Sequence, residues 1–236
     1  FTLLILTLAV TAKAQNFVVD KIPSDNGEVA ITFIGHGSLM MEYDGNIIHI
    51  DPSSREADYS QLPDADLVLI THHHGDHCDP KAFGDIATDN TMTFLTQLAE
   101  EKLEVGKVVK NGESVSYGWA KIEAIPAYNL IHKRDNGEFF HPKGCCNSYI
   151  LTIDGLRLFI GGDTENTPEM KALKNIDIAF LPMNLPYTMT PEMVADAAKA
   201  FKPKVLYPYH YGSTNVDDLL KLMKDEAAVE VRVRKM

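Results

Sequence analysis

The sequence predicts an α/β fold in which two β-sheets pack face to face with helices on the outside. Short apolar runs bounded by Gly, Pro, Asn and Asp recur along the chain and read as strands. Amphipathic stretches with helix-starting residues fall between them, and Asp-Gly turns mark hairpins. A pattern from the first half returns in the second. Strands with these neighbours are buried on both faces when a second sheet covers one side and helices cover the other.

In order, Val29 to Ile34, Leu39 to Tyr43 and Asn46 to Ile50 read as strands, with Asp44-Gly45 as a hairpin turn. The run Asp66 to Ile70 is a buried strand leading into His72. Pro80 to Ile86 is a helix with Asp79 as its N-cap and Pro80 in its first position. Thr91 to Leu95 is a strand and Gln97 to Leu103 a helix. Val105 to Val109, Ser114 to Tyr117 and Trp119 to Ile125 follow as strands. Tyr149 to Ile153, Asp154-Gly155 and Leu156 to Ile160 then repeat the earlier hairpin, and Ile176 to Leu181 repeats the buried strand. Pro191 to Phe201 is a helix capped by Thr190, and Val205 to Tyr209 a strand ending at His210. Val216 to Asp225 and Ala228 to Val233 complete the chain as helix and strand.

The 236 residues, 45% of them hydrophobic, suit one large domain over residues 15–236 with no low-complexity linker. The formal charge of −11 makes the chain a poor partner for nucleic-acid phosphates or anionic membrane surfaces. Residues 1–14 hold an apolar run, Phe1 to Val10, followed by Ala12-Lys13-Ala14. This is the pattern of a signal peptide that has lost its first residues, and it predicts an exported protein, periplasmic or secreted, without a stable membrane anchor. Cys78, Cys145 and Cys146 do not make a disulfide framework, and Cys78 reads as a packed small residue.

The stretch that carries chemistry is His72-His73-His74-Gly75-Asp76-His77. In an extended segment side chains two apart point the same way, so His72 and His74 can meet on one metal ion. Gly75 lets the chain fold back, which offers Asp76 and His77 to a second. Imidazole with carboxylate suits zinc, and also manganese or iron. Three His and an Asp just past a buried strand outweigh the alternative of a polar loop that is His-rich by chance.

His72-x-His74-x-Asp76-His77 resembles the signature of the metallo-β-lactamase superfamily of metal-dependent hydrolases. That resemblance implies its fold, an αβ/βα four-layer sandwich of two facing mixed sheets with the site in the cleft between the halves. It also implies further metal ligands. His141 resembles the third His of the first ion, with His132 on the same loop as the alternative. Asp163, in Gly-Gly-Asp-Thr, resembles the bridging carboxylate, and His210, in Pro-Tyr-His-Tyr-Gly, the last ligand of the second ion. His72, His74, His141 and Asp163 would hold one divalent ion; Asp76, His77, Asp163 and His210 would hold the other. His36 and Asp51 stand where related enzymes carry a similar Gly-His-x-Ser and Asp-Pro, although each also reads as an ordinary turn residue. The runs Pro-Lys-Gly, Tyr-Thr-Met-Thr-Pro-Glu and Pro-Tyr-His-Tyr-Gly resemble the branch that includes ascorbate-phosphate lactonase and N-acyl-phosphatidylethanolamine phospholipase D.

The expected chemistry is hydrolysis of an ester, lactone or phosphodiester of a small molecule. Two ions, Zn2+ first with Mn2+ or Fe2+ as alternatives, would share a water, lower its pKa towards about 7 and present hydroxide. Asp76 would orient the nucleophile or carry a proton. Tyr128, Tyr187 and Tyr211 lie on loops near these residues and are possible hydrogen-bond donors, although each reads more readily as a packing residue. A non-catalytic metal-binding or sensor protein is the alternative from another class. A redox di-iron protein is disfavoured, because position 74 is His rather than the Glu of oxygen-reducing relatives.

Overall fold

The computed structural model describes residues 15–236; the signal-peptide expectation for residues 1–14 lies outside them. The first seven strands are β1 (Val18–Pro23), β2 (Glu28–Gly35), β3 (Ser38–Tyr43), β4 (Asn46–Ile50), β5 (Leu67–Leu69), β6 (Met92–Leu95) and β7 (Lys107–Val108). They form one sheet in chain order. The second sheet holds β8 (Ser114–Tyr117), β9 (Ala120–Ala127), β10 (Cys146–Ile153), β11 (Leu156–Ile160), β12 (Ile178–Pro182), β13 (Val205–Tyr209) and β14 (Glu230–Val231), again in chain order. Both sheets have the same plan: the early strands pair antiparallel as hairpins, and the later ones add in parallel. The repeat seen in the sequence is therefore a repeat of topology.

The helices are α1 (Pro80–Ile86), α2 (Gln97–Leu103), α3 (Pro168–Lys171), α4 (Pro191–Phe201) and α5 (Val216–Met223). Their starts follow from capping chemistry. Asp79 accepts from Lys81 N, Thr190 from Met193 N and Asn215 from Asp217 N, and Pro opens α1, α3 and α4. Each such cap is worth about 1 kcal/mol.

Alternation along the strands sorts the core into layers. Ile31, Phe33, Leu39, Met41, Leu67 and Leu69 of the first sheet meet Ile122, Leu151, Leu158, Phe180 and Tyr207 of the second. The intervening residues face outward. Val68 and Ile70 pack on Ala82 and Ile86 of α1 and Ala99 of α2. Phe159, Leu181 and Leu206 pack on Val194, Ala198 and Phe201 of α4 and Leu219 of α5. This is the expected four-layer sandwich. Cys78 lies fully buried in the layer outside the first sheet, as a packed small residue, and all three cysteines are free.

Three elements escaped the sequence reading. β1 carries Val18 and Val19 exposed on a sheet edge, so its alternation is faint. The 3-10 turn Tyr59–Gln61 and the four-residue α3 are too short to show a period. The expected strands around residues 105–109 and 228–233 shrink to two residues each, because both lie at sheet edges with a single neighbour to pair with.

Candidate metal centre

The site forms where strand ends of the two sheets meet. Five segments supply it: the turn after β2 with His36, the loop after β5 with His72 to His77, the loop before β10 with His141, the turn after β11 with Asp163, and the end of β13 with His210. Hydrogen bonds to backbone carbonyls tie the halves together there. Asn147 N donates to Thr71 O at 2.9 Å, His210 N to His36 O at 2.9 Å, and the Tyr149 hydroxyl to Ile70 O at 3.0 Å.

Two groups of side chains emerge, in each of which the candidate ligand atoms lie within 4.8 Å of one another. The first is His72, His74, His141 and Asp163. His72 Nε2 stands 3.1 Å from His74 Nδ1, and His141 Nε2 stands 3.3 Å from both His74 Nδ1 and Asp163 Oδ2. The second is His36, Asp76, His77 and His210. Asp163 reaches this group too, with Oδ1 at 3.3 Å from both His77 Nε2 and His210 Nε2. One carboxylate thus offers one oxygen to each group. Asp76 Oδ2 lies 3.2 Å from His36 Nε2 and 3.8 Å from His210 Nε2.

These groups fit a cation. Tetrahedral zinc with bonds of about 2.0–2.1 Å places neighbouring ligand atoms about 3.3 Å apart. His77 Nε2, His210 Nε2 and Asp163 Oδ1 are buried without a hydrogen-bond partner, a costly arrangement unless something else binds them. The opposite ring atoms of two of these histidines are engaged by their surroundings. His77 Nδ1 pairs with Asp51 Oδ2 at 2.8 Å, and His141 Nδ1 with Asn129 Oδ1 at 2.9 Å, which leaves each Nε2 turned inward. Asp51 is fixed in turn by the Thr71 backbone N–H at 2.7 Å and the Thr71 hydroxyl at 2.6 Å.

Protonation follows from the same surroundings. Burial, with His77 beside it, drives His72 well below the usual imidazole range. Burial together with His141 and His73 pushes His74 down to about 4. Both rings are therefore neutral, with lone pairs available. Burial also opposes a charge on His77, but Asp163 and Asp51 override it and raise this ring well above its ordinary value. Burial would raise Asp163, yet His210, His77 and His141 hold it well below the carboxylate range, and His210 and His36 do the same for Asp76. Neutral rings at His72 and His74 beside ionised Asp163 and Asp76 suit a divalent cation, and a bound cation would have to displace the proton that His77 otherwise holds between Asp163 and Asp51.

Close approach is bought at two glycines. A Cβ on Gly37 would lie 2.7 Å from His77 Cε1. Gly162, at φ +58, passes where a Cβ would lie 2.8 Å from Thr71 Cβ and 2.9 Å from Asn147 O. His36, Asp51 and His210 themselves hold positive φ, which turns each strand end sharply into the site.

His132 does not join the cluster. Its Nδ1 lies 2.7 Å from Glu165, whose buried carboxylate accepts from the backbone N–H groups of Leu130, Ile131 and His132. Glu165 is thus the anchor of the loop that delivers His141. Tyr187 lines the cavity at the site, packed edge-on to Phe140 at 5.0 Å. Tyr128 and Tyr211 do not: the Tyr128 hydroxyl donates to Glu169 at 2.9 Å, and the Tyr211 hydroxyl donates to Arg234 O at 2.8 Å. The cavity, of about 490 Å³, is also lined by Arg55, Arg134, Phe140 and Asn184, which the sequence reading passed over. The position of Glu165, two residues past Asp163, was a usable signal; for the others the sequence held none.

Comparison with known proteins gives the chain a family. The family model of the Beta-lactamase superfamily domain matches residues 30–210. A UPF0173 metal-dependent hydrolase from Ligilactobacillus salivarius is 30% identical over 195 residues, covering 78% of this chain and 85% of that protein. Another, from Methanopyrus kandleri, is 29% identical over 199 residues, with 78% and 84% covered. Among solved structures, a Parabacteroides distasonis protein named as a metal-dependent hydrolase superposes with a TM-score of 0.89 at 50% identity, covering 94% of this chain and 100% of that one. Igni18, a metallo hydrolase from Ignicoccus hospitalis, shares the fold with a TM-score of 0.70 at 23% identity, covering 88% and 95%. From the domain match, the shared fold and the converging His and Asp side chains, the chain belongs to the metallo-β-lactamase superfamily, among the UPF0173 metal-dependent hydrolases.

Proposed function

We propose that this hydrolase works with two divalent metal ions, zinc before manganese or iron, on an ester, lactone or phosphodiester of a small molecule. The observation that carries this reading is Asp163, whose two oxygens each stand 3.3 Å from imidazole nitrogens of different groups. His72, His74 and His141 would hold one ion; Asp76, His77 and His210 would hold the other, with His36 beside Asp76. When bound, such ions polarise the attacked oxygen and acidify water to near neutrality.

The chain's own residues then have defined tasks. Asp51 and Asn129 hold His77 and His141 in one tautomer and orientation. Asp76, partly exposed to the cavity, is placed to accept a proton from the attacking water and pass it to the leaving oxygen, with His36 Nε2 3.2 Å away. Phe140 and Tyr187 form an apolar wall against which substrate packs. The apolar run and Ala12-Lys13-Ala14 support export of the mature protein, which cleavage after Ala14 in a periplasmic fraction would test. No helix among the described residues is long and apolar enough to cross a membrane.

The test is metal content per chain in protein purified without added metal, joined to a panel of 4-nitrophenyl esters, lactones and bis(4-nitrophenyl) phosphate. We expect about two equivalents in the wild type, about one in both His141→Ala and His210→Ala, and hydrolysis of at least one class that Asp163→Asn abolishes. One equivalent or fewer in the wild type overturns the dinuclear reading. Full metal loading with no hydrolysis of any class favours a metal-binding protein without turnover.

A further inference from the structure

The chain has five arginines among an excess of acids, 33 against 22 basic residues. Arg157, Arg232 and Arg234 each pair with a carboxylate. The remaining two, Arg55 and Arg134, make no ion pair among the described residues, and both stand on the wall of the metal-centre cavity. Both residues are exposed, and Arg55 also borders a groove with Glu56 and Asp58 without pairing to either. The acids that line the cavity are Asp76 and Asp163, both already turned to the imidazole groups.

The two arginines come from different halves of the fold. Arg55 lies on the loop after β4, its Nη2 3.7 Å from where a Cβ of Gly75 would stand. Arg134 lies on the loop between β9 and β10, its guanidinium 5.0 Å from the centre of the Phe140 ring and its Nη2 donating to Phe140 O at 3.4 Å. The ring and the carbonyl hold Arg134 over the cavity and leave its other N–H groups free to bind. Guanidinium groups match carboxylate and phosphate oxygens in a two-pronged fashion. Inside a concave wall their field is focused on whatever enters.

We propose that Arg55 and Arg134 form an anion subsite, and that the substrate carries a second, unreacted carboxylate or phosphate which they hold while the labile bond lies at the metal centre. This deepens the hydrolase reading and rests on it. The substrate is then a small anionic ester or diester, with its uncharged portion against Phe140 and Tyr187.

The experiment compares three esters of matched length on metal-loaded protein: 4-nitrophenyl hexanoate, the mono-4-nitrophenyl ester of adipate, and 4-nitrophenyl 5-phosphonopentanoate. We expect kcat/KM for one anionic ester to exceed that for hexanoate by about tenfold or more, mainly through KM. That ratio should fall towards one in the double variant Arg55→Gln/Arg134→Gln, rise again in Arg55→Lys/Arg134→Lys, and shrink with added salt. The adipate and phosphonate arms say which anion the subsite takes. A wild-type ratio of one, or a double variant that keeps the wild-type ratio, overturns the subsite.

Calorimetric titration of glutarate and of glycerol 3-phosphate into the same proteins reads the subsite without turnover. If every ester is inert, carboxylic esters are excluded as the substrate class, and this titration still decides the subsite. Binding of either anion that weakens about tenfold or more in the double variant supports the subsite. Equal affinity in both proteins, or no binding, overturns it. Metal content, measured on each variant, shows whether a loss lies at the arginines or at the metal centre.

Discussion

His49 makes the stability of this fold depend on pH at a point remote from the chemistry. It sits on β4, fully buried, with Nε2 donating to Pro63 O at 3.1 Å, Tyr59 packed against the ring, and Nδ1 without a partner. Burial pushes its pKa from an ordinary 6.5 down to about 4, against the small opposing effect of the Pro63 carbonyl. The folded state thus refuses a proton that the unfolded chain accepts. The folded-state value is depressed, so the stabilisation is complete above about pH 6.5 and is lost as pH falls towards about 4. A depression of about 2.5 units is worth about 3 kcal/mol in full, and about 2 kcal/mol of it is gone by pH 5. The assay is urea unfolding of wild type and His49→Gln at a series of pH values. Taking the difference between the two proteins cancels the acid-sensitive histidines of the metal centre, which both share. The difference should move against the wild type by about 2 kcal/mol between pH 7.5 and pH 5. Curves that stay parallel over that range would refute the reasoning and mean that His49 is reached by water or reorganises on protonation.

Other perturbations read the site and its supports. Gly37→Ala drives a methyl group into His77, at 2.7 Å from Cε1, and should cut metal content by about one equivalent while circular dichroism stays unchanged. Glu165→Gln removes the charge that three backbone N–H groups and Asn129 surround; it should cost about 1–3 kcal/mol and speed hydrogen exchange across residues 129–132. Burial would raise Asp20, but Arg234 and Tyr207 more than reverse it and hold the carboxyl below its ordinary value. Its contribution to stability is present above the ordinary carboxylate range and is lost as pH falls through the lowered folded-state value, so Asp20→Asn should flatten the acid limb of the wild-type stability curve.

Much of the molecule was legible in its sequence because the signals are local. Leu67 to Leu69 is a continuous apolar run, and its neighbours on both faces are sheet and helix, so burial and pattern agree. The caps Asp79 and Thr190 mark helix starts through single side chains. The clustering of His72, His74, Asp76 and His77 was legible for the same reason, since they lie within one loop. The loop from 129 to 144 was not. Which of His132 and His141 turns inward is set by Glu165, more than twenty residues away from either, and only the fold brings that carboxylate beneath the loop. Tyr128 and Tyr211 could be read either way because loop position says nothing of where a hydroxyl points; Glu169 and the Arg234 carbonyl, both distant in sequence, decide it. Arg55 and Arg134 were invisible for a related reason: only the fold brings these two loops to the wall of one cavity.

The sheets also act as a ruler. Asp163 follows β11 and His210 follows β13, while Ile160, Phe180 and Tyr207 stand level with one another across the parallel strands between them. A slip of β13 by one residue would turn Tyr207 and Tyr209 out of the inner core and carry His210 away from Asp163 together. The apolar alternation that makes the sandwich therefore also indexes the candidate ligands, so that a misaligned sheet is at once a poorly packed protein and a protein whose His and Asp cluster is dispersed.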